Sequence, residues 1–205
     1  MVKPTTIRNV LCLAISFGWP LRQLDVKNAF LHSSLSEDVY MRQPPDFADP
    51  HRPNHVCKLH KAIYGLKQAP RAWFQRFSSF LLRVGFTQSK ADNSMFIYHD
   101  HLSVMILLLY VNDIILTGNN SSHLLAFLRT LGAKFDIKDL GRLHYFLGVE
   151  VHYHPTSIHL TQNQYTVDLL KRSNLLDCKP ISTPMTSKGT FSRTHGTVLA
   201  DPTPY

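Results

Sequence analysis

The stretch LLLYVNDIILTG (residues 107–118) sets two apolar runs on either side of a polar centre, Asn112-Asp113. Short apolar runs broken by turn-forming residues read as two strands meeting at a tight turn. The turn holds a carboxylate, with an amide beside it. Far earlier in the chain, LRQLDV (21–26) reads as a strand running into another acid, Asp25. If the two strands are neighbours in one sheet, Asp25 and Asp113 converge. Facing carboxylates repel, and near neutral pH they need a cation or a shared proton. Two divalent ions roughly 3.5–4 Å apart, bridged by acids, form the machinery of phosphoryl and nucleotidyl transfer. An Asp at a turn is more commonly only turn chemistry, so the pair alone specifies little.

Working outward, Ile7, Val10, Leu11, Ala14 and Ile15 fall at helical spacing, with Thr5 or Thr6 to cap the start and Gly18 to end the run. MRQPPDFADPHRPNH reads as a proline-rich loop, and VCKLH as a short strand. From Pro70 the pattern is helical again: Trp73, Phe77, Phe80, Leu81 and Val84 share one face, and Gly85 closes it. MFIYHD and SVMILLLY read as strands. A second amphipathic helix between Ser121 and Phe135 carries Leu124, Leu125, Leu128 and Leu131. HYFLGVEVHYH and SIHLTQ form a hairpin around Pro155 and Ser157, and a last helix covers residues 162–173. Beyond Thr183 the chain is Ser-, Thr-, Gly- and Pro-rich and reads as linker. The order predicts an α+β fold, an antiparallel sheet with helices on one face.

The composition is globular: of 205 residues, 44% are hydrophobic and 18% charged. A formal charge of +8 makes a polyanion, nucleic acid first, a reasonable partner. Three scattered cysteines, Cys12, Cys57 and Cys178, argue for reduced thiols and an intracellular setting, cytoplasm or nucleus. The histidines of HDH (99–101) and HYH (152–154) lack a distant pair at zinc-ligand spacing. The longest apolar run, VMILLLYV (104–111), falls well short of the ~20 residues of a spanning helix, so no membrane partner is expected.

QLDVKNAFLH, KAIYGLKQAPRAWF, LLLYVNDIILTG and DIKDLGRLHYFLGVEV occur in this order. Together with VKPTTIR, VYMRQPP and KPISTPM they resemble the reverse transcriptase of copia-type LTR retrotransposons, over nearly the whole chain. An ordered series of motifs is far more specific than any one of them. The resemblance implies a right-hand polymerase palm on an RRM/ferredoxin-like core, with partial fingers and partial thumb. Its expected divisions are a palm with fingers over 1–155, a thumb or connection over 156–183 and a linker-like tail over 184–205. It implies an RNA-directed DNA polymerase acting by two-metal nucleotidyl transfer. The partners are an RNA or DNA template with primer, deoxynucleoside triphosphates, and Mg²⁺ or Mn²⁺.

Carried over residue by residue, the resemblance makes Asp25 and Asp113 metal ligands and catalytic acids, with the backbone of Val26 a further oxygen ligand. Phe30 matches the aromatic under the sugar of the incoming nucleotide, and a core Phe is its plainer reading. Gln68 matches the glutamine against that nucleotide, and Tyr110 opens the turn that the family usually writes Tyr-Val-Asp-Asp. Phe146, Leu147 and Gly148 resemble the primer grip. Lys138 is a candidate proton donor to pyrophosphate, although a solvated lysine is the plainer reading. Lys67 and Arg71, in a cluster with Lys58, His60 and Lys61, are candidate phosphate contacts. Trp73, on the apolar helix face, goes to the core.

The chain departs from the pattern at Asn112, the degenerate catalytic position, where the family has a metal-binding acid. An amide oxygen carries no charge, and one anion fewer weakens a two-cation clamp. The expectation is an impaired copy. It is also expected to be truncated at the fingers and to lack a ribonuclease H domain. Asp46 stands where the family commonly has glycine. Two further readings stay open: a non-catalytic nucleic-acid-binding remnant, and a functionless relic of a decayed element.

Overall fold

The computed structural model describes residues 2–155 and 157–180. The chain runs α1 (Pro4–Ser16), β1 (Leu21–Val26), β2 (Ser34–Arg42), β3 (Val56–Lys61) and α2 (Ala69–Arg83). It continues through β4 (Thr87–Gln88), β5 (Met95–His99), β6 (Val104–Tyr110), β7 (Asp113–Gly118) and α3 (Ser121–Lys134). Last come β8 (Ile137–Arg142), β9 (Tyr145–Phe146), β10 (Val149–Tyr153), β11 (Ile158–Thr161) and α4 (Asn163–Arg172). This is a mixed α/β arrangement with four helices around antiparallel sheet.

The main sheet has the order β4-β5-β6-β7-β1-β8, every pairing antiparallel. β1 therefore lies between β7 and β8, which positions the site. The apolar side chains of β6 and of Ile114–Leu116 in β7 alternate between two cores. Leu107, Leu109, Ile114 and Leu116 pack with Trp73, Phe77 and Leu81 of α2 and Leu124 and Leu131 of α3. Ile106, Leu108 and Ile115 pack with Val10 and Leu11 of α1 and with Phe146 and Val151. The expectation of helices on one face is thus corrected: α1 and the β9–β11 sheet cover the other face. A strand buried on both faces reads as a continuous apolar run, as VMILLLY does.

Ile7, Val10, Leu11 and Ala14 are the buried stripe that makes α1 a helix. Its N-cap is Lys3, followed by Pro4 in the first turn, and not Thr5 or Thr6. Thr6 Oγ1 donates instead to Asp92 Oδ2 at 2.7 Å, and Lys3 N donates to the same oxygen at 2.9 Å. Ser94 N donates to Asp92 Oδ1 at 2.9 Å. Burial pushes the Asp92 carboxyl up, but these hydrogen bonds outweigh it and hold the group below its ordinary value. Asp92 thereby ties α1 to the loop before β5.

Two strands went unread in the sequence, and two further expectations are corrected. β2 and β8 were not legible as strands, and Met41 and Arg42 close β2 rather than open a loop. On α3 the buried positions are Leu124, Phe127 and Leu131, while Leu125 faces solvent. Asp46 lies in a 3₁₀ turn, Pro45–Phe47, and is not among the residues of positive φ. No left-handed strain arises there. The linker-like tail over 184–205 lies outside the described residues.

Candidate active site

The β6–β7 hairpin closes through Val111 and Asn112, with Tyr110 and Asp113 as its last paired residues. Val111 has φ 53°, a left-handed conformation that a β-branched side chain adopts only under strain. Two contacts hold it. Trp73 Nε1 donates to the Val111 carbonyl oxygen at 2.6 Å, and Val26 N donates to the Asn112 carbonyl oxygen at 2.9 Å. Trp73 is the core residue expected from the sequence, at 1% exposure. Its indole N–H is also the clamp on the turn, a role no periodicity could reveal.

Asp25 and Asp113 are Cα partners across β1 and β7, so the strands are neighbours and the acids converge. Burial, and then the charge of Asp25, push the Asp113 carboxyl above its ordinary value. Asn112 Nδ2 donates to Asp25 Oδ1 at 2.6 Å. The amide thus partly satisfies a carboxylate that would otherwise face only another acid. On the far side of β1, Lys138 of β8 is the Cα partner of Asp25. Asp113, Asp25 and Lys138 stand abreast on three adjacent strands. Lys138 is exposed, as its plainer reading as a solvated lysine has it; its place beside Asp25 went unread because β8 was not recognised.

The structure brings some other candidates near this row and not others. A cavity of about 740 Å³ is lined by Tyr110, Leu147 and Val149 together with Ile7 and Gln162. Tyr110 and Leu147 thus face one space. Leu147 and Gly148 both have positive φ, 51° and 82°, as a two-residue hairpin turn of matching twist requires. Phe146 itself is buried in the core under this turn. Phe30 is also buried, and its ring lies 4.4 Å from that of Tyr64. Tyr64 is the exposed member of that aromatic pair.

Gln68 precedes α2, and its Nε2 donates to Glu37 Oε2 at 3.4 Å. Gln68 and Arg71 share a cavity of about 320 Å³ with Glu37 and Gln75. Arg71 also lines a second cavity with Tyr110 and Val111, so it reaches the hairpin. Lys67 is exposed. Lys58 is engaged by Asp38 at 2.6 Å.

The donor set decides what cation the site fits. Asp25, Asp113 and a carbonyl oxygen of Val26 or Asn112 would suit one hard divalent ion. Among the described residues there is no group of three or more His, Cys, Asp or Glu side chains able to hold a metal ion. The set holds two carboxylates, Asp25 and Asp113, with the Asn112 amide beside them.

Comparisons with known proteins place the chain in a family. It belongs to the reverse transcriptase (RNA-dependent DNA polymerase) family, whose model matches residues 1–187. It is 49% identical, over all 205 residues, to the Retrovirus-related Pol polyprotein from transposon RE1 of Arabidopsis thaliana. It is 39% identical over 188 residues, 90% of the chain, to the Retrovirus-related Pol polyprotein from transposon TNT 1-94 of Nicotiana tabacum. The chain spans 14% of the length of each of these relatives. The resemblance read from the motifs is borne out. No solved structure matches the chain. Among the described residues, no helix is long and apolar enough to cross a membrane.

Proposed function

We propose that the chain is the polymerase palm, with partial fingers and partial thumb, of an RNA-directed DNA polymerase of a retrotransposon, and that Asn112 impairs it. In this reading residues 1–155 form palm and fingers, and residues 156–183, with α4, form the thumb. The single observation that carries it is the pairing of Asp25 with Asp113 beside a strained turn. A divalent cation, Mg²⁺ or Mn²⁺, supplies charge neutralisation at the reacting phosphate when bound. Asp25 and Asp113 would hold it, helped by a backbone oxygen of Val26. Lys138, abreast of Asp25, is placed to give a proton to departing pyrophosphate. Phe30 and Tyr64 bound the sugar side of the nucleotide site, with Gln68 at its edge. Leu147 and Gly148 shape the primer side opposite Tyr110.

Asn112 contributes no negative charge, and its N–H occupies a lone pair of Asp25 that a cation would use. That contact supports a second reading, a module that binds primer and template without extending the primer. Lys67 and Arg71 provide phosphate contacts in either case. Mg²⁺-dependent primer extension by Asn112→Asp, lost again in Asp25→Asn/Asn112→Asp, tests the polymerase reading. Extension that survives the loss of Asp25 would refute it. In salt titrations, Lys67→Glu/Arg71→Glu should weaken primer–template binding and flatten its salt slope by about two counterions. An unchanged slope would remove both residues from the interface.

A further inference from the structure

At the opposite end of β1 from the acids lies a cavity of about 590 Å³, within the roughly 300–1,000 Å³ typical of small-ligand sites. It sits between the C-terminal end of α1, the start of β1 and the end of β10. Arg22 and Arg142 both line it, and they are Cα partners across β1 and β8. Like charges directly opposite one another on paired strands are destabilising. One carboxylate answers the two guanidiniums: Arg22 Nη2 donates to Asp139 Oδ2 at 2.5 Å. Arg142 has no carboxylate partner among the described residues. Its guanidinium carbon lies 3.3 Å over the Tyr153 ring.

Two lining residues also carry buried polar atoms with no hydrogen-bond partner, Arg22 Nε and the Tyr153 hydroxyl. Buried donors left unpaired are costly and rare. A wall with an excess cation and two unpaired donors is complementary to an anion with several acceptor oxygens, a phosphate above all. α3 begins on the same wall at Ser121, adding the positive end of its dipole. The facing wall is apolar, with Ile15 and Trp19. Trp19 stacks on Phe17, ring centroids 5.4 Å apart, which makes an aromatic platform. A bare phosphate would leave that wall unused, whereas a nucleobase would cover it.

We propose that this cavity binds a nucleoside 5′-monophosphate group, free or at the 5′ end of a strand, with its phosphate on Arg22, Arg142 and Tyr153 and its base toward Trp19. The site goes beyond the polymerase reading and does not rest on it, since it needs neither the acids nor a divalent cation.

Trp19 is one of two tryptophans in the chain, and the other, Trp73, is buried. Its fluorescence therefore reports on the cavity. The 205-residue chain is titrated with AMP, adenosine, inorganic phosphate and a 5′-phosphorylated tetranucleotide, in EDTA. Saturable quenching by AMP or the tetranucleotide is expected, with adenosine at least about tenfold weaker and phosphate competing. Quenching by the tetranucleotide alone would assign the ligand to a strand end, and by both to the phosphate unit itself. Arg142→Ala should weaken binding about tenfold, with partial recovery in Arg142→Lys. Trp19→Phe should abolish the signal. Equal binding of AMP and adenosine, or no saturable quenching by any phosphate ester, would overturn the proposal. The adenosine comparison uses the unaltered chain, so it decides even if Arg142→Ala fails to fold. Absence of primer extension by Asn112→Asp, with quenching intact, would count against the polymerase reading alone.

Discussion

β1 carries a like-charge pair near each end, and the two pairs are resolved differently. Near its C-terminal end Asp25 faces Asp113 across β7. Near its N-terminal end Arg22 faces Arg142 across β8. At the acid end the Asn112 amide donates to Asp25 and Lys138 stands on the next strand, while Asp113 stays raised by burial and by the charge of Asp25. At the arginine end Asp139 answers one cation, and two buried donors stay unpaired. A chain can hold a repulsive pair by hydrogen-bonding it internally or by leaving donors beside it unpaired, and the Asn112 amide takes the first course.

Perturbing each end separately sharpens this contrast. The largest stability loss is expected from Trp73→Ala, which empties the core under the β6–β7 turn and releases Val111. Chemical denaturation should show about 3–5 kcal/mol. Trp73→Phe keeps most of the volume but loses the N–H to Val111, and about 1–2 kcal/mol is expected. A null result in both would mean that the turn does not depend on its clamp.

Asp92→Ala comes next, because α1 forms a wall of the arginine-end cavity and Asp92 tethers α1. A loss of about 2 kcal/mol is expected. The Asp92 carboxyl is held below its ordinary value when folded, so its contribution is present above the unfolded pKa of 3.8 and fades as pH falls through the lower folded value. Denaturation midpoints of the variant and parent should converge in strong acid. If they stay parallel, the tether is not ionic.

Asp113 carries the opposite sign. Its folded carboxyl is raised, so its favourable contribution is complete only below the ordinary value of 3.8 and is lost as pH rises through the raised one. Asp113→Asn should stabilise the fold at neutral pH and not in strong acid, as read by thermal denaturation at both. Destabilisation at neutral pH would show that the acid pair is not under repulsion. The smallest effect belongs to the Arg22–Asp139 pair, whose side chains are about a third exposed (34% and 35%). A double-mutant cycle should give less than about 1 kcal/mol, falling as salt rises.

The sequence exposed those parts of the fold whose side chains are periodic and buried. α1, α2, the β6–β7 hairpin and β1 all announce themselves by apolar spacing, and the pairing of Asp25 with Asp113 follows once β1 and β7 are neighbours. β2 and β8 did not, because every residue of each is exposed or only half-buried and neither carries an apolar run. Missing β8 hid Lys138 beside Asp25 and Arg142 beside Arg22. The second core was legible in principle from VMILLLY, a run too uniformly apolar for a strand with one wet face. The Asn112–Asp25 hydrogen bond and the Trp73–Val111 clamp were not legible, since they depend on side-chain geometry across distant segments.

The central claim is that Asn112 disables an otherwise well-formed acid site. Primer extension with Mg²⁺ and with Mn²⁺, comparing the chain as it stands with Asn112→Asp, tests it most directly. The account predicts that the aspartate variant extends the primer at least about 100-fold faster. Equal extension rates for the two proteins would contradict it.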